Sequence, residues 1–153
     1  PASANLTLRN SADSANLSAY VNNTAFAAAI TTEDTDLVSY KIWGDIVGAT
    51  SEPDNWTAGT WTNGRELIDE LVLTSGEGEK TINAKVRDIA GNVTILTAQT
   101  VTLDTTDPTV TLTPDITVIS AQSGYDTVTF TYTATDTNSL TNYQLKLGDS
   151  VVK

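Results

Sequence analysis

The segment from Lys80 to Pro108, KTINAKVRDIAGNVTILTAQTVTLDTTDP, constrains the fold most, because it reads as two long strands joined by a tight turn and closed by a linker. Ile82, Ala84 and Val86 alternate with Asn83, Lys85 and Arg87. That period of two places apolar groups on one face and polar groups on the other, the signature of a half-buried strand. Asp88 to Asn92, DIAGN, supplies the turn. Gly91 takes positive φ without steric cost, and the Asp88 and Asn92 side chains can bond nearby backbone amides. Val93, Ile95, Thr97, Gln99, Val101 and Leu103 are the odd members of the return strand, whose density of β-branched residues favours a pleated surface over a helix.

The rest of the chain repeats the pattern of short strands between polar turns, without a sustained helical period. Strands are expected at Asn5 to Arg9, Leu17 to Val21, Ala25 to Thr31 and Leu37 to Trp43. Gly44 to Gly64 is broken by glycines and Pro53 and reads as loop. Arg65 to Leu73 is ambiguous: Leu67 and Leu71 are spaced as on a helix, whereas Leu71 and Leu73 are spaced as on a strand. One helical turn running into a strand from Glu70 onward is the reading adopted. With the hairpin, about seven strands in roughly 100 residues match an all-β, immunoglobulin-like β-sandwich of two packed sheets.

An internal repeat organises the whole chain. Phe26 to Tyr40, FAAAITTEDTDLVSY, and Phe130 to Tyr143, FTYTATDTNSLTNY, share an aromatic-led strand, an acidic turn and a tyrosine-bearing strand. The offset is about 103 residues. The expected layout is a sandwich module over 1–104, a linker over 105–108 in which Pro108 stops any continuing strand, and the first strands of a second module over 109–153. In the second unit Val128, Phe130, Tyr132 and Ala134 alternate with Thr127, Thr129, Thr131 and Thr133, and Tyr143, Leu145 and Leu147 alternate with Gln144 and Lys146. Three or four strands cannot close a sandwich. The second module is therefore expected to be completed by a parent chain running on for another ~55 residues, as the repeat length requires, or by a neighbouring chain.

Composition removes several function classes. Among 153 residues there is no cysteine and no histidine. Thiolate zinc sites and thiol redox chemistry are thereby excluded, and so is the usual general base at neutral pH. Nineteen acidic against eight basic side chains give a formal charge of −11. Such a field repels phosphate backbones and anionic headgroups, so no nucleic-acid partner is expected. No apolar run approaches the ~20 residues that span a bilayer, and membrane insertion is not expected. The start, PASANLTLRN, lacks the basic and apolar regions of a secretory signal.

Three segments, SYKIWGD (Ser39 to Asp45), KTINAKVRDIAGN (Lys80 to Asn92) and LDTTDPTVTL (Leu103 to Leu112), resemble the immunoglobulin-like modules of tailed-phage virion proteins and of bacterial cell-surface adhesins. The last two segments are common to both groups, and KIWGD tips the resemblance toward phage. It implies a non-enzymatic module of a virion: a capsid decoration, a head fibre or a tail-associated protein. Its partners would be other virion proteins or copies of itself, with weak binding to a host-surface glycan or protein. The alternative it leaves is a spacer or ligand-binding repeat of an adhesin on the bacterial cell surface. No catalytic residue is carried over, because such modules have none.

Sharper readings attach to three groups of residues. Glu33, Asp34 and Asp36, with Asp88, Asp104 and Asp107, are candidate oxygen ligands for calcium if they meet at one end of the sandwich. No contiguous D-x-[DN]-x-[DN]-G loop is present, so solvated turns are the preferred reading and no cofactor is expected. Glu66, Asp69 and Glu70 have the composition of a glycosidase pair but lie close in sequence, as on a solvated strand edge. Trp56 and Trp61, in the acidic glycine-broken loop, are candidates for partner contact, protein ahead of sugar, or for plugging the sandwich end. Trp43, on a predicted strand, is expected to pack.

Overall fold

A computed structural model describes residues 3–11, 15–124, 127–138, 140, 142, 144–147 and 149–151. The chain divides into two compact units, Pro1–Thr105 and Thr106–Lys153.

The first unit is all-β among its described residues and consists of two sheets sharing one core. One sheet orders β1 (Ala4–Arg9), β3 (Ala25–Thr32) and β6 (Arg65–Val72). The other orders β2 (Tyr20–Val21), β9 (Gln99–Leu103), β7 (Gly78–Asp88), β4 (Leu37–Gly44) and β5 (Thr57–Ala58), with β8 (Val93–Ile95) also paired to β7. Leu6, Leu8, Phe26, Ala28, Ile30 and Ile68 of the first sheet meet Tyr40, Ile82, Ala84, Val86, Val101 and Leu103 of the second in a single buried cluster. At ~25 cal/mol per Å² of apolar area removed from water, that shared face is the main force holding the sheets together.

The strand expected at Leu17 to Val21 shrinks to Tyr20–Val21 because the chain crosses between sheets there. Leu17 N donates to Leu8 O of β1 at 3.0 Å, whereas Thr102 N and Asp104 N of the other sheet donate to Ala19 O and Val21 O, each at 2.9 Å. β2 then runs parallel to β9, with Tyr20 opposite Thr102 and Val21 opposite Leu103.

Two one-residue irregularities explain where periodicity misled. Arg65 to Val72 is strand throughout, with no helical turn. The register against β3 shifts between Phe26 and Ala28, so that Asp69 and Glu70 both fall opposite Ala27, and Glu70 has φ +60°. This bulge moves the inward positions from Glu66 and Ile68 to Leu71 and Leu73, and the extra residue imitates a helical spacing. The return arm of the long hairpin is likewise interrupted. Lys85 pairs with Ile95 and Val86 with Thr94, but Lys80 pairs with Val101 and Ile82 with Gln99, a slip of one residue. A slip of one exchanges faces. Val93 and Ile95 are therefore exposed, Leu96 turns inward with its N–H on Ala84 O at 3.0 Å, and the odd residues Val101 and Leu103 are buried only after the break.

The DIAGN turn has the chemistry its sequence indicates. Asn92 N donates to Asp88 Oδ1 and Asn92 Nδ2 to Asp88 Oδ2, both at 2.8 Å, and Gly91 has φ +92°.

In the second unit β10 (Thr109–Pro114) pairs antiparallel with β11 (Phe130–Thr135), and β12 (Lys146–Leu147) with β13 (Ser150–Val151). Opposed residues share a face. Val110, Leu112 and Pro114 therefore lie with Ala134, Tyr132 and Phe130, and Thr109, Thr111 and Thr113 with Thr135, Thr133 and Thr131. Asp115 closes the ribbon by accepting from Thr129 N at 2.9 Å, a bond that holds its carboxyl below the usual range. Val110, Leu112, Phe130 and Tyr132 remain exposed. Tyr143 and the side chain of Leu147, expected on a further strand, lie outside the described residues.

Candidate functional site

The outer face of the larger sheet carries the densest polar assembly. Register places Lys41 of β4 directly opposite Lys85 of β7, and Ser39 opposite Arg87. Like charges opposed across a ladder destabilise it. The loop after β4 resolves the conflict by folding back. Glu52 bridges both ammonium groups, 3.2 Å from Lys41 Nζ and in closer contact with Lys85. Lys41, buried, also donates to Pro53 O and to Asp54 O at 2.9 Å. The Trp56 ring lies 5.3 Å from Lys41 Nζ, 5.3 Å from Lys85 Nζ and 4.6 Å from Arg87 Cζ, within cation–π range of all three. Hydrogen bonding from Lys85, and then from Lys41, holds the Glu52 carboxyl below its ordinary range against some desolvation. Trp56, a candidate for partner contact, is thus half-buried and serves as the lid of this latch.

Trp61 has a different role. It packs against the core at the edge of the sandwich, with φ +32° and its indole N–H buried without a partner. Glu66 holds it there: Oε2 accepts from Thr60 N at 2.6 Å, Thr60 Oγ1 at 3.0 Å and Trp61 N at 3.0 Å. Glu66 is buried while Asp69 and Glu70 are exposed on the bulge, so the three acids do not face one another across a cleft. Trp43 is half-buried on the outer face, opposite Asn83.

The acidic candidates separate into groups. Asp34, Asp36 and Asp88 come together where the β3–β4 and β7–β8 turns meet, joined by Ile89 N donating to Asp36 O at 3.0 Å. A hydrogen bond with Asp34, then desolvation and the charges of Asp34 and Asp88, push the Asp36 carboxyl up. Bonding to Asn92 pulls Asp88 down. Asp104 follows Leu103, which pairs with Gly78 at the other end of β7. Ten residues of strand, about 33 Å at ~3.3 Å each, separate that end from Asp88. The expectation that Asp104 joins the cluster is therefore corrected, and Asp107 belongs to the second unit. Among the described residues no group of three or more His, Cys, Asp or Glu side chains could hold a metal ion. Among the described residues there is no helix long and apolar enough to cross a membrane.

The KIWGD segment is used up in folding. Lys41 anchors the latch, Ile42 packs on the core, and Gly44 lies against β7. Asp45 Oδ2 accepts from Thr81 N at 2.8 Å while Asp45 N donates to Thr81 O at 2.9 Å. Sequence reasoning singled out these residues but missed one further feature, a groove beside Tyr20 whose walls come from segments with little periodicity. No protein-family model matches the chain, and no curated protein matches its sequence.

Proposed function

We propose that the chain is a non-enzymatic structural and display module of a phage virion, built from immunoglobulin-like units in tandem. The immunoglobulin-like part of this reading rests on the strand order, and its virion part on the resemblance of SYKIWGD, KTINAKVRDIAGN and LDTTDPTVTL to phage modules. β1, β3 and β6 form one sheet and β4, β7 and β9 the core of the other, with β5 added at one edge and the opening segment split between sheets. That order corresponds to the first, second and fifth strands opposed to the third, sixth and seventh in an immunoglobulin-like sandwich, with an extra strand beside the third. The second unit supports the tandem arrangement, because its opening pair β10–β11 repeats the antiparallel pairing of β1 with β3. Lys41, Asp45, Glu66 and Asp88, each with at least two side-chain hydrogen bonds, hold loops and turns, as a module built for rigidity requires.

Mass spectrometry of density-purified particles tests the assignment. Peptides of this chain present in stoichiometric amounts are the expected result. Their absence from particles, with release by brief proteolysis of intact bacteria, would overturn it in favour of an adhesin repeat on the cell surface.

A further inference from the structure

An open cavity of the first unit, about 570 Å³, lies at the end where β9 runs out into Asp104. Its volume falls within the ~300 to 1,000 Å³ range of small-molecule pockets. Leu17 and Val21, both packed against the core, give it an apolar floor. Around that floor stand four side-chain amides, Asn10, Asn16, Asn22 and Asn23, with the carboxylate of Asp104 and the ring of Tyr20. Tyr20 is 58% exposed although its backbone pairs with Thr102 of β9. The ring therefore stands open on the cavity wall.

We infer that this groove binds an uncharged oligosaccharide. The chemistry selects that class in three ways. The side-chain amides of Asn16 and Asn22 carry donors and an acceptor, matching hydroxyls that both donate and accept. The exposed ring presents an apolar face for the C–H side of a pyranose. Among the described residues no lysine or arginine lines the groove, and the chain carries −11, so anionic sugars and phosphorylated ligands are repelled. Part of the lining is already set: Asn23 Oδ1 accepts from Ala25 N at 3.0 Å, which fixes the amide and leaves its NH₂ to donate. Asp104 is held by its backbone N–H on Val21 O. Polar groups positioned before binding lower its entropic cost. The inference stands whether the chain is carried by a particle or by a cell, because it depends only on the groove.

Titration of the ¹⁵N-labelled chain with cellotriose, maltotriose and N,N′-diacetylchitobiose, with sialyllactose as the anionic control, tests it. At least one neutral sugar is expected to give saturable shifts at the amides of Asn16, Tyr20 and Asn22 with a millimolar dissociation constant. Tyr20→Ala and Asn22→Ala should each weaken binding at least tenfold while leaving the spectrum of the β4–β7 region unchanged. Tyr20→Phe, which keeps the ring, should stay within about threefold of the parent chain. Sialyllactose should bind at least tenfold more weakly than the best neutral sugar. No saturable shift with any of the three neutral sugars would overturn the inference, as would shifts centred on Trp56, or binding that survives Tyr20→Ala.

Discussion

Gly44 and Gly91 both occupy conformations that side chains resist, at φ +128° and +92°, but their surroundings differ. A Cβ built on Gly91 meets no heavy atom within 4 Å, whereas one built on Gly44 would lie 2.1 Å from Thr81 O and 3.1 Å from Thr81 C. Gly91→Ala therefore costs only the backbone term. The left-handed conformation costs ~1 to 2 kcal/mol, and the lower unfolded-state entropy of alanine offsets roughly 0.4 to 1 kcal/mol of that, so the net loss is about 1 kcal/mol. Gly44→Ala carries the same terms and adds an overlap that cannot relax locally. Thr81 O is held by Asp45 N and Thr81 N by Asp45 Oδ2, and Gly44 itself pairs with Ile82 across the ladder. Moving β7 away sacrifices at least those two hydrogen bonds at ~0.5 to 1.5 kcal/mol each, with a further ~1 to 3 kcal/mol for any group left buried and unpaired. The expected loss exceeds ~3 kcal/mol. Trp43, Trp56 and Trp61 all lie in the first unit, so denaturant unfolding followed by tryptophan fluorescence reports that unit alone. Equal shifts in midpoint for the two variants would refute the steric argument, and with it the close approach of β4 to Thr81.

Glu70→Gly should act in the opposite direction: relieving φ +60° in the β6 bulge is expected to raise stability by ~0.5 to 1 kcal/mol, the left-handed cost less the entropy of glycine, and a lower denaturation midpoint would contradict the bulge assignment. Val86→Asp places a carboxylate at a position with 0% exposure between the sheets and should cost several kcal/mol, so a thermal melt close to that of the parent chain would remove Val86 from the core. Glu52 sets a pH dependence. Lys85 and Lys41 hold its carboxyl below the ordinary value of 4.5, so its contribution is fully present above that value and is lost as pH falls through the lowered folded value. Glu52→Gln should flatten that part of the acid-unfolding curve, and superimposable curves for variant and parent would show that the Trp56 latch does not depend on the carboxylate.

Much of the fold was legible because most of its strands are half-buried, and half-burial writes a period of two. Lys80 to Asp88 shows this plainly, as does DIAGN, where turn chemistry needs Gly91 and two short polar side chains at fixed offsets. Legibility failed wherever a single residue was added to one strand of a pair. The bulge at Asp69 and Glu70 and the slip between Ile95 and Gln99 each exchange inside for outside, and a one-dimensional pattern cannot tell an exchanged face from a different period. The candidate sites fared differently. The sequence leaves Trp56 and Trp61 open between packing and contact, and nothing in the spacing shows that Lys41, Lys85 and Arg87 gather under Trp56, since their proximity follows from the β4–β7 register. Asp104 was grouped with Asp88 because both are acidic residues beside turns, and only the antiparallel course of β7 and β9 places them at opposite ends.

Residues that look distinctive in a β-sequence, such as a buried lysine, a tryptophan in a glycine-broken loop or an acid next to a glycine, are those whose removal would leave a charge unpaired or a loop untethered. Here Lys41, Trp56, Asp45 and Glu66 each have such a task, and each is met by partners within the first unit. The groove beside Tyr20 is different. Its amides belong to the stretch between β1 and β3, where the chain changes sheets, and most of its polar side chains are exposed. A sheet-crossing segment has no long ladder to satisfy, so asparagine, which suits neither helix nor strand interior, is tolerated there. Surface loops on a rigid scaffold carry recognition for this reason. In this molecule the latch, the DIAGN turn and the Glu66 anchor tie loops to the sheets, and the crossing segment supplies a polar cavity floored by Leu17 and Val21, which pack on the core between those sheets.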